Sequence, residues 1–194
     1  MVAYQTMGKA LRAFALFLFL SGLIQGISLI FWFFSTNNFF LLHIYTALGF
    51  CSLAWFYRIM LKGFINSRII DFIIIGFLIF TVINSIYFQG LLTFNSNALV
   101  IESILIIIFS ISTYILFLDN IVKGQHKESL ASFNWINSGL FIYHLSSLVI
   151  FYFGDYFTRN FPAYINRYTW VLHSFFSVVM YIFFYIGLWK RHKA

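Results

Sequence analysis

The chain has 194 residues, of which 62% are apolar, 23% are aromatic and only 9% are charged. Because about a quarter of the residues in a soluble domain are charged, this composition excludes a water-soluble globule and a disordered chain. The lone Cys51 cannot form an internal disulfide, so a disulfide-stabilised secreted domain is excluded as well. What remains is a protein that crosses a membrane several times.

Six stretches are long and apolar enough to cross a membrane, for which a helix needs about 20 residues. They are 11–34, 39–59, 69–88, 98–118, 134–156 and 168–189. The connections between them are too short to contain a soluble catalytic or DNA-binding domain. We therefore predict an all-α fold, a polytopic membrane bundle of six transmembrane helices that forms a single integral membrane domain over 1–194.

The lysines and arginines predict how this bundle is oriented, because cytoplasmic connections of membrane proteins are rich in them. If the chain crosses six times, ten of these residues share one side, and only Arg159 and Arg167 lie on the other. Both termini are therefore expected on the cytoplasmic side. The net charge of +7 then reflects topology and contact with anionic lipid headgroups, and it requires no nucleic-acid partner.

The first span carries two glycines, Gly22 and Gly26, four residues apart. Glycines at this spacing lie on one face of a helix and let the backbone of a second helix approach closely. This face is therefore a candidate for packing against a neighbouring helix or for forming a homodimer.

The second, third and fourth spans each carry a polar residue at a similar depth. His43 is about four residues into the second span, Asn84 is about four from the end of the third, and Glu102 is about four into the fourth. An acid inside a membrane is by default a candidate functional group, which makes Glu102 the leading candidate. Asp71, beside Arg68 at the start of the third span, is instead expected to be an interfacial charge or a helix N-cap.

The fifth span carries a line of polar residues along one face. Asn137 and His144 are two helical turns apart, and Asp155 returns to the same face after five turns. Asn134 and Ser147 lie close to that line. Because polar atoms that face lipid are costly, we expect this line to face the interior of the bundle.

The sixth span carries His173 about five residues from its start, level with His43 and Glu102. We predict a polar pocket open to the outer side of the membrane. Its candidate ligand-binding residues are His43, Asn84, Glu102, Asn137, His144 and His173. A carboxylate and an imidazole that lie close together in a low dielectric shift each other's pKa, so Glu102 and His173 are expected to contact the ligand or to bind a proton. The alternative is that these side chains only hydrogen-bond neighbouring helices.

Motifs for known chemistry are missing from the sequence. It contains no GxSxG or HExxH motif, so we expect no catalytic residue and favour a non-enzymatic function. No lysine or arginine lies deep in a span, which excludes a retinal Schiff base and a voltage-sensor helix. We also expect no bound cofactor or metal. Two alternatives stay open. One is a haem between His43 and His173 or a metal site of His43, His173 and Glu102, and the other is a small-solute or proton-coupled carrier. A haem would give a Soret band, and a carrier would need a polar path from Glu102 through Asn137 to the cytoplasm.

Three segments carry a family resemblance: HIYT at 43–46, WINSGLFIY at 135–143, and WVLH at 170–173 together with GLW at 187–189. In these segments the chain resembles uncharacterised small polytopic inner-membrane proteins of Bacteroidota, often encoded near sensor histidine kinases. Such proteins often have an acid one turn after the tyrosine of the first segment, where this chain has Gly49. The resemblance implies the inner (cytoplasmic) membrane of a bacterium and a link to signalling.

These observations predict a non-enzymatic membrane sensor or signalling-partner module. A small molecule, lipid or proton would enter the outer polar layer and change how the helices pack. The connections on the cytoplasmic side would pass this change to a membrane or cytoplasmic signalling protein. The longest of them, 119–132, is expected to be a solvated loop that is also available to such a partner.

Overall fold

The computed structural model describes residues 2–123 and 128–193, with the side chains of all of these except 2–7, 128, 129, 158, 163–166 and 191–193. It contains six helices: α1 (Val2–Phe33), α2 (Phe39–Met60), α3 (Ser67–Ile83), α4 (Ser96–Val122), α5 (Glu128–Asn160) and α6 (Ala163–Lys193). A π-helical turn, Asn84–Phe88, continues α3. No β-strand occurs in the described ranges. The predicted all-α fold is confirmed.

The six predicted spans are confirmed as helices that are long and apolar enough to cross a membrane. Their bounds are Gly8–Phe33, Phe39–Met60, Ser67–Phe88, Ser96–Val122, Leu130–Phe157 and Arg167–Lys190. Each end lies within four residues of its predicted position. The chain is therefore a multi-pass membrane protein by length and composition, while the side on which its termini lie stays a prediction.

The connection predicted over 119–132 is shorter than expected. Helix α4 continues to Val122 and α5 begins at Glu128, so most of the predicted loop is helical. An ion pair on α4 supports this extension, because Lys123 Nζ lies 2.6 Å from Asp119 Oδ2, one helical turn away. Residues 124–127 of the predicted loop lie outside the described residues.

The chain forms two compact units, Met1–Glu102 and Ser103–Ala194. In the first unit α1 packs against α2, and α2 packs against α3. In the second unit α5 packs against α6 along much of their length. The boundary lies within α4, so Glu102 is at the end of the first unit and Ser103 is at the start of the second.

Aromatic side chains fill the core of the first unit. The rings of Phe14 on α1 and Phe56 on α2 have centroids 5.8 Å apart, and the rings of Phe50 and Phe77 join α2 to α3 at 4.1 Å. Ala10 and Ala13 on α1 are fully buried, which lets that helix approach α2 closely. Small and aromatic residues therefore hold the first three helices together.

The turn from α2 to α3 is held by a cap and an ion pair. Asn66 is the N-cap of α3, since its side chain accepts a hydrogen bond from the backbone N–H of Arg68 at 3.1 Å. The guanidinium of Arg58 donates twice to Asp71, at 2.6 and 3.0 Å. Asp71 is thus a half-exposed charge that pairs across two helices, and the alternative prediction that it caps α3 is wrong. Gly63 supplies the positive φ of 90° in this turn.

Glycines bring α5 and α6 together in the second unit. A Cβ atom on Gly139 would lie 2.9 Å from Phe183 Cβ, and one on Gly187 would lie 2.9 Å from the backbone oxygen of Ser132. Ser132 also donates its hydroxyl to the backbone oxygen of Gly187 at 2.6 Å. The absence of side chains at these two glycines allows the backbones to pack at close range.

The glycines predicted to form a packing face, Gly22 and Gly26, have open space around them. Both are exposed, and a Cβ atom on either would have no neighbour within 4 Å among the described residues. Their face therefore packs against no other described part of the first unit. The predicted homodimer through this face stays a prediction.

Candidate functional site

The buried acid of the first unit is Glu102, which lies six residues after the start of α4 and is 4% exposed. Its Oε1 atom lies 3.7 Å from the position that a Cβ atom on Gly49 of α2 would occupy. The ring of Tyr45 lies on the same side, with Cε2 at 3.8 Å from that position. No ion pair or hydrogen bond joins the Glu102 carboxylate to another described residue. A buried carboxylate without a partner costs folding free energy unless it binds a proton or a cation.

A chain of polar side chains leads to Tyr45 from α1. The hydroxyl oxygens of Ser21 and Tyr45 are 3.3 Å apart, and Gln25 Nε2 donates to the Ser21 hydroxyl at 3.1 Å. Ser21 is 1% exposed, whereas Gln25 is exposed on the surface of α1. The chain therefore connects an exposed amide to the ring that faces Glu102.

His43 lies near the start of α2 and hydrogen-bonds the segment that follows α3. Its Nδ1 atom lies 2.8 Å from the Ser85 hydroxyl in the π-helical turn, and its Nε2 atom lies 3.2 Å from the backbone oxygen of Thr93. Both ring nitrogens are thus engaged, and the side chain is 5% exposed. These contacts give His43 a positioning role between α2 and the segment that follows α3.

Asn84 is the centre of a cluster of side-chain amides, here called the amide cluster: the buried Asn84, Gln89 and Asn95, and the exposed Asn97. Asn84 Nδ2 donates to Asn95 Oδ1 at 2.9 Å and to Gln89 Oε1 at 3.3 Å, and Asn97 Nδ2 donates to Asn84 Oδ1 at 2.9 Å. The backbone N–H of Asn97 also donates to Gln89 Oε1 at 2.9 Å. Among the described residues, the buried Nδ2 atom of Asn95 has no partner. The cluster joins the end of α3 to the start of α4.

The π-helical turn explains why these amides meet. The backbone N–H of Gln89 donates to the backbone oxygen of Asn84 at 2.7 Å, a bond that spans five residues instead of four. The wider turn places the side chain of Asn84 in the interior at 0% exposure, while Ile86, Tyr87 and Phe88 are exposed. Sequence reasoning identified Asn84 but missed Gln89, Asn95 and Asn97. The signal was available, since four amides within fourteen residues of an apolar chain are unusual.

The two candidate histidines of the second unit both lie beside Tyr143. The hydroxyl of Tyr143 is 3.0 Å from His173 Nε2, and the ring centroids of Tyr143 and His144 are 5.0 Å apart. His144 is 4% exposed, and its Nδ1 atom lies 3.2 Å from the Ser103 hydroxyl on α4. The rings of Phe151 and Trp170 lie 5.3 and 5.7 Å from that of His173. His173 is therefore half-buried among aromatic rings and hydrogen-bonded to α5.

The polar line along α5 is only partly in the interior. Asn137 and Ser147 are fully buried, and Asn137 Nδ2 donates to the backbone oxygen of Ser110 on α4 at 3.1 Å. Asn134, by contrast, is exposed, so the prediction that it faces the interior is wrong. Asp155 accepts from Arg159 at 2.9 Å, one turn along the same helix. The polar line thus ends in an ion pair, because near the end of a span both charges remain accessible to the interface.

The predicted site residues therefore fall into two groups. His43 and Asn84 contact the same segment of the first unit, the one that runs from the π-helical turn to α4, while Glu102 lies beside Tyr45 and Gly49. His144 and His173 meet beside Tyr143 in the second unit, and Asn137 is bonded to α4 separately. The predicted convergence of Glu102 with His173 stays a prediction. Sequence reasoning also missed the contribution of Tyr45 and Tyr143.

The fold and these polar groups define the chain as an all-helical multi-pass membrane protein with buried ionisable side chains in its spans. No group of three or more His, Cys, Asp or Glu side chains within the described residues is placed to hold a metal ion. The chain matches no protein-family model, no curated protein and no solved structure. What it does must therefore be argued from its own geometry.

Proposed function

We propose that this protein is a non-enzymatic membrane sensor or signalling-partner module of a bacterial inner membrane. In this proposal a small ligand or a proton binds in a polar pocket on the predicted outer side and changes the packing of the helices. The observation that carries the proposal is Glu102, a carboxylate that is 4% exposed and has no hydrogen-bonding or ion-pair partner among the described residues. A buried acid without a partner changes its energy greatly when it gains or loses a ligand, which is what a sensing group requires.

The surroundings of Glu102 support a change in helix packing as the response. The carboxylate faces Gly49 on α2, a helix that also packs against α1 and α3. Arg58 and Asp71 join the C-terminal end of α2 to the N-terminal end of α3. A shift of α2 at Glu102 would therefore reach the connection between α2 and α3, which the distribution of basic residues predicts to be cytoplasmic.

The partner of such a module would be a membrane or cytoplasmic signalling protein. Two exposed surfaces of the protein are available to it: the connection around Gly63, and the face of Gly22 and Gly26 on α1. The surrounding lipid bilayer is the other partner of the protein. A homodimer through the α1 face would place two Glu102 sites in one assembly. His43 and the amide cluster would keep the outer end of the first unit fixed while α2 moves.

The test uses the chain's one cysteine as a reporter. Cys51 is half-exposed on α2, two residues from Gly49 and within electrostatic range of Glu102. The full chain is labelled at Cys51 with an uncharged, environment-sensitive fluorophore, placed in phospholipid vesicles, and exposed in turn to a pH change, Na⁺, K⁺, Ca²⁺ and simple amino acids. We expect at least one probe to shift the emission of the unsubstituted protein.

Two variants on the same helix make this test specific. In Glu102→Gln the shift should be lost, whereas in Asp119→Asn, where the acid is half-exposed and paired with Lys123, it should remain. If no probe gives a shift that depends on Glu102, the sensor proposal is wrong. Net movement of a probe into the vesicles would instead identify a carrier.

A further inference from the structure

The surroundings of Glu102 also indicate which ligand it binds. We propose that the ligand is a proton, and that the hydroxyls of Ser21 and Tyr45 form the hydrogen-bonded route by which the proton reaches the carboxylate. This inference rests on the proposed function and specifies it, because it commits to one ligand and one path within the first unit.

The gap between the Glu102 carboxylate and α2 favours a very small ligand. A Cβ atom added at Gly49 would lie 3.7 Å from Glu102 Oε1 and 3.8 Å from Tyr45 Cε2, which are ordinary van der Waals distances. The gap between the carboxylate, the tyrosine ring and α2 therefore has room for a methyl group. Binding sites for metabolites enclose roughly 300–1,000 Å³. A proton, a water molecule or a single small ion therefore fits between Glu102 and Gly49 without displacing α2.

The groups around the Glu102 carboxylate do not suit a divalent cation. Calcium takes about six to eight oxygen ligands, and magnesium requires nearly octahedral coordination. On α2, Tyr45 and Gly49 lie beside Glu102, while the acid of α3, Asp71, is paired with Arg58. The other acids with described side chains, Asp71, Asp119 and Asp155, are each paired with a basic residue. One carboxylate near one phenol is a poor cation site but is sufficient to bind a proton.

Hydroxyl groups on α1 and α2 offer a route by which a proton can reach Glu102. A proton passes readily along groups that both donate and accept hydrogen bonds, as hydroxyls do. The hydroxyls of Tyr45 and Ser21 are 3.3 Å apart, and Gln25 continues the chain to the exposed surface of α1. Ser21 and Gln25 are one helical turn apart, so both lie on the face of α1 that includes this contact. The two hydroxyls thus connect the buried side of α1 to the ring that faces Glu102, and the Gln25 amide holds the Ser21 hydroxyl at the α1 end.

Infrared difference spectroscopy tests this proposal with the proton itself as the probe. The full chain in phospholipid vesicles is taken from mildly acidic to mildly alkaline buffer. We expect the carbonyl stretching band of a neutral carboxylic acid to lose intensity, to shift in heavy water, and to be absent from Glu102→Gln but present in Asp119→Asn. If Glu102→Gln does not fold, Glu102→Asp should keep a pH-dependent band at a shifted frequency.

A second pair of variants tests the route. Tyr45→Phe should retain the band but slow its response to a pH jump by on the order of 100-fold, the lower range of what a positioned proton-transfer group contributes. Tyr87→Phe is the matched control, because Tyr87 is 77% exposed on the π-helical turn. An unchanged rate in Tyr45→Phe would overturn the route.

The two proposals fail in different ways. If Na⁺ or another probe shifts the Cys51 label in a Glu102-dependent manner and no pH-dependent carboxyl band exists, the proton is the wrong ligand and the sensor proposal survives. If the Glu102 band responds to pH but the Cys51 label does not, the proton site is present and the sensor proposal is wrong. A carboxyl band that persists in Glu102→Gln overturns the assignment of the proton to this residue.

Discussion

An acidic side chain in a membrane helix is tolerated when a partner or an interface accepts its charge. Three of the acids on described helices have such a partner one turn away or on the neighbouring helix: Asp71 with Arg58, Asp119 with Lys123 and Asp155 with Arg159. All three are at least a quarter exposed at the side chain. Glu102 differs in both respects, which is why it carries the functional proposal while the others are explained as interfacial charges.

Asn84 provides a test of a structural role at the level of a single residue. Replacing it with alanine removes its hydrogen bonds to Gln89, Asn95 and Asn97 and leaves the buried Asn95 oxygen without its partner; an unsatisfied buried group costs about 1–3 kcal/mol. We therefore expect Asn84→Ala to lower the free energy of unfolding by about 2 kcal/mol or more in a detergent-based unfolding titration.

The matched control for this change is Asn120→Ala, because Asn120 is half-exposed near the end of α4. That variant should change the free energy of unfolding by no more than about 0.5 kcal/mol, as is usual for surface substitutions. Equal effects of the two variants would contradict the assignment of the amide cluster as a structural element of the first unit.

At the scale of helices, close packing of α5 against α6 depends on two glycines. A Cβ atom on Gly187 would lie 2.9 Å from both Ile136 Cγ1 and the backbone oxygen of Ser132, and the latter cannot move without displacing α5. Inserting a methyl group into such a contact typically costs about 1–3 kcal/mol. We expect Gly187→Ala to lower the midpoint of thermal unfolding accordingly.

Gly76→Ala is the control for that prediction. Gly76 lies in the middle of α3, is exposed, and has nothing within 4 Å of a Cβ atom among the described residues. In an open helical position alanine is favoured over glycine by about 0.5–1 kcal/mol, so this variant should be neutral or slightly stabilising. A loss of stability in Gly76→Ala equal to that in Gly187→Ala would show that helix propensity, not the contact with α5, governs the result.

The ion pair between α2 and α3 should contribute little to stability. The side chains of Arg58 and Asp71 are 39% and 42% exposed, and pairs with such access to solvent contribute about 0–1 kcal/mol. We expect Asp71→Asn to lower the free energy of unfolding by less than about 1 kcal/mol, with the smallest effect at high salt. A larger, salt-independent loss would mean that the pair is shielded from water.

The sequence predicted the six helices well because crossing a membrane requires long apolar runs, and such runs can be read without knowledge of neighbours. Depth can also be counted from the ends of the spans, and the depths counted in this way for His43 and Glu102 stay predictions. The sequence did not predict partners. The meeting of Asn84 with Gln89 and Asn95 depends on a π-helical turn, and the exposure of Asn134 depends on how α5 is rotated against α6. Neither follows from periodicity alone.

At the scale of the whole molecule, both units contain buried ionisable groups. The first has the imidazole of His43 and, beside a tyrosine ring, the Glu102 carboxylate, while the second has two imidazoles beside Tyr143. The first unit is the simpler candidate for proton binding, because its acid has no hydrogen-bond or ion-pair partner among the described residues and the proposed route to it is formed by hydroxyls. The imidazoles of the second unit have hydrogen bonds that explain their burial: His144 to Ser103 and His173 to Tyr143.

The orientation of the whole molecule is open to a direct measurement. Ten lysines and arginines share the side of the connection between α2 and α3, against two on the side of the connection between α1 and α2. In a Cys51→Ser background, we expect Ser35→Cys to react with a membrane-impermeant maleimide in intact cells, and Phe64→Cys to react only after the membrane is permeabilised. Both positions are exposed and lie in the connections at opposite ends of α2.

The reverse labelling pattern would place both termini outside, and with them the ten basic residues, against the tendency of such residues to stay in the cytoplasm. It would also turn the Glu102 end of α4 toward the cytoplasm, so that the proposed proton would come from the cell interior. Labelling of both cysteines from the same side would instead mean that α2 does not cross the membrane. Because Glu102 lies beside Gly49 in the middle of α2, that result would remove the low-dielectric surroundings on which the proposed site depends.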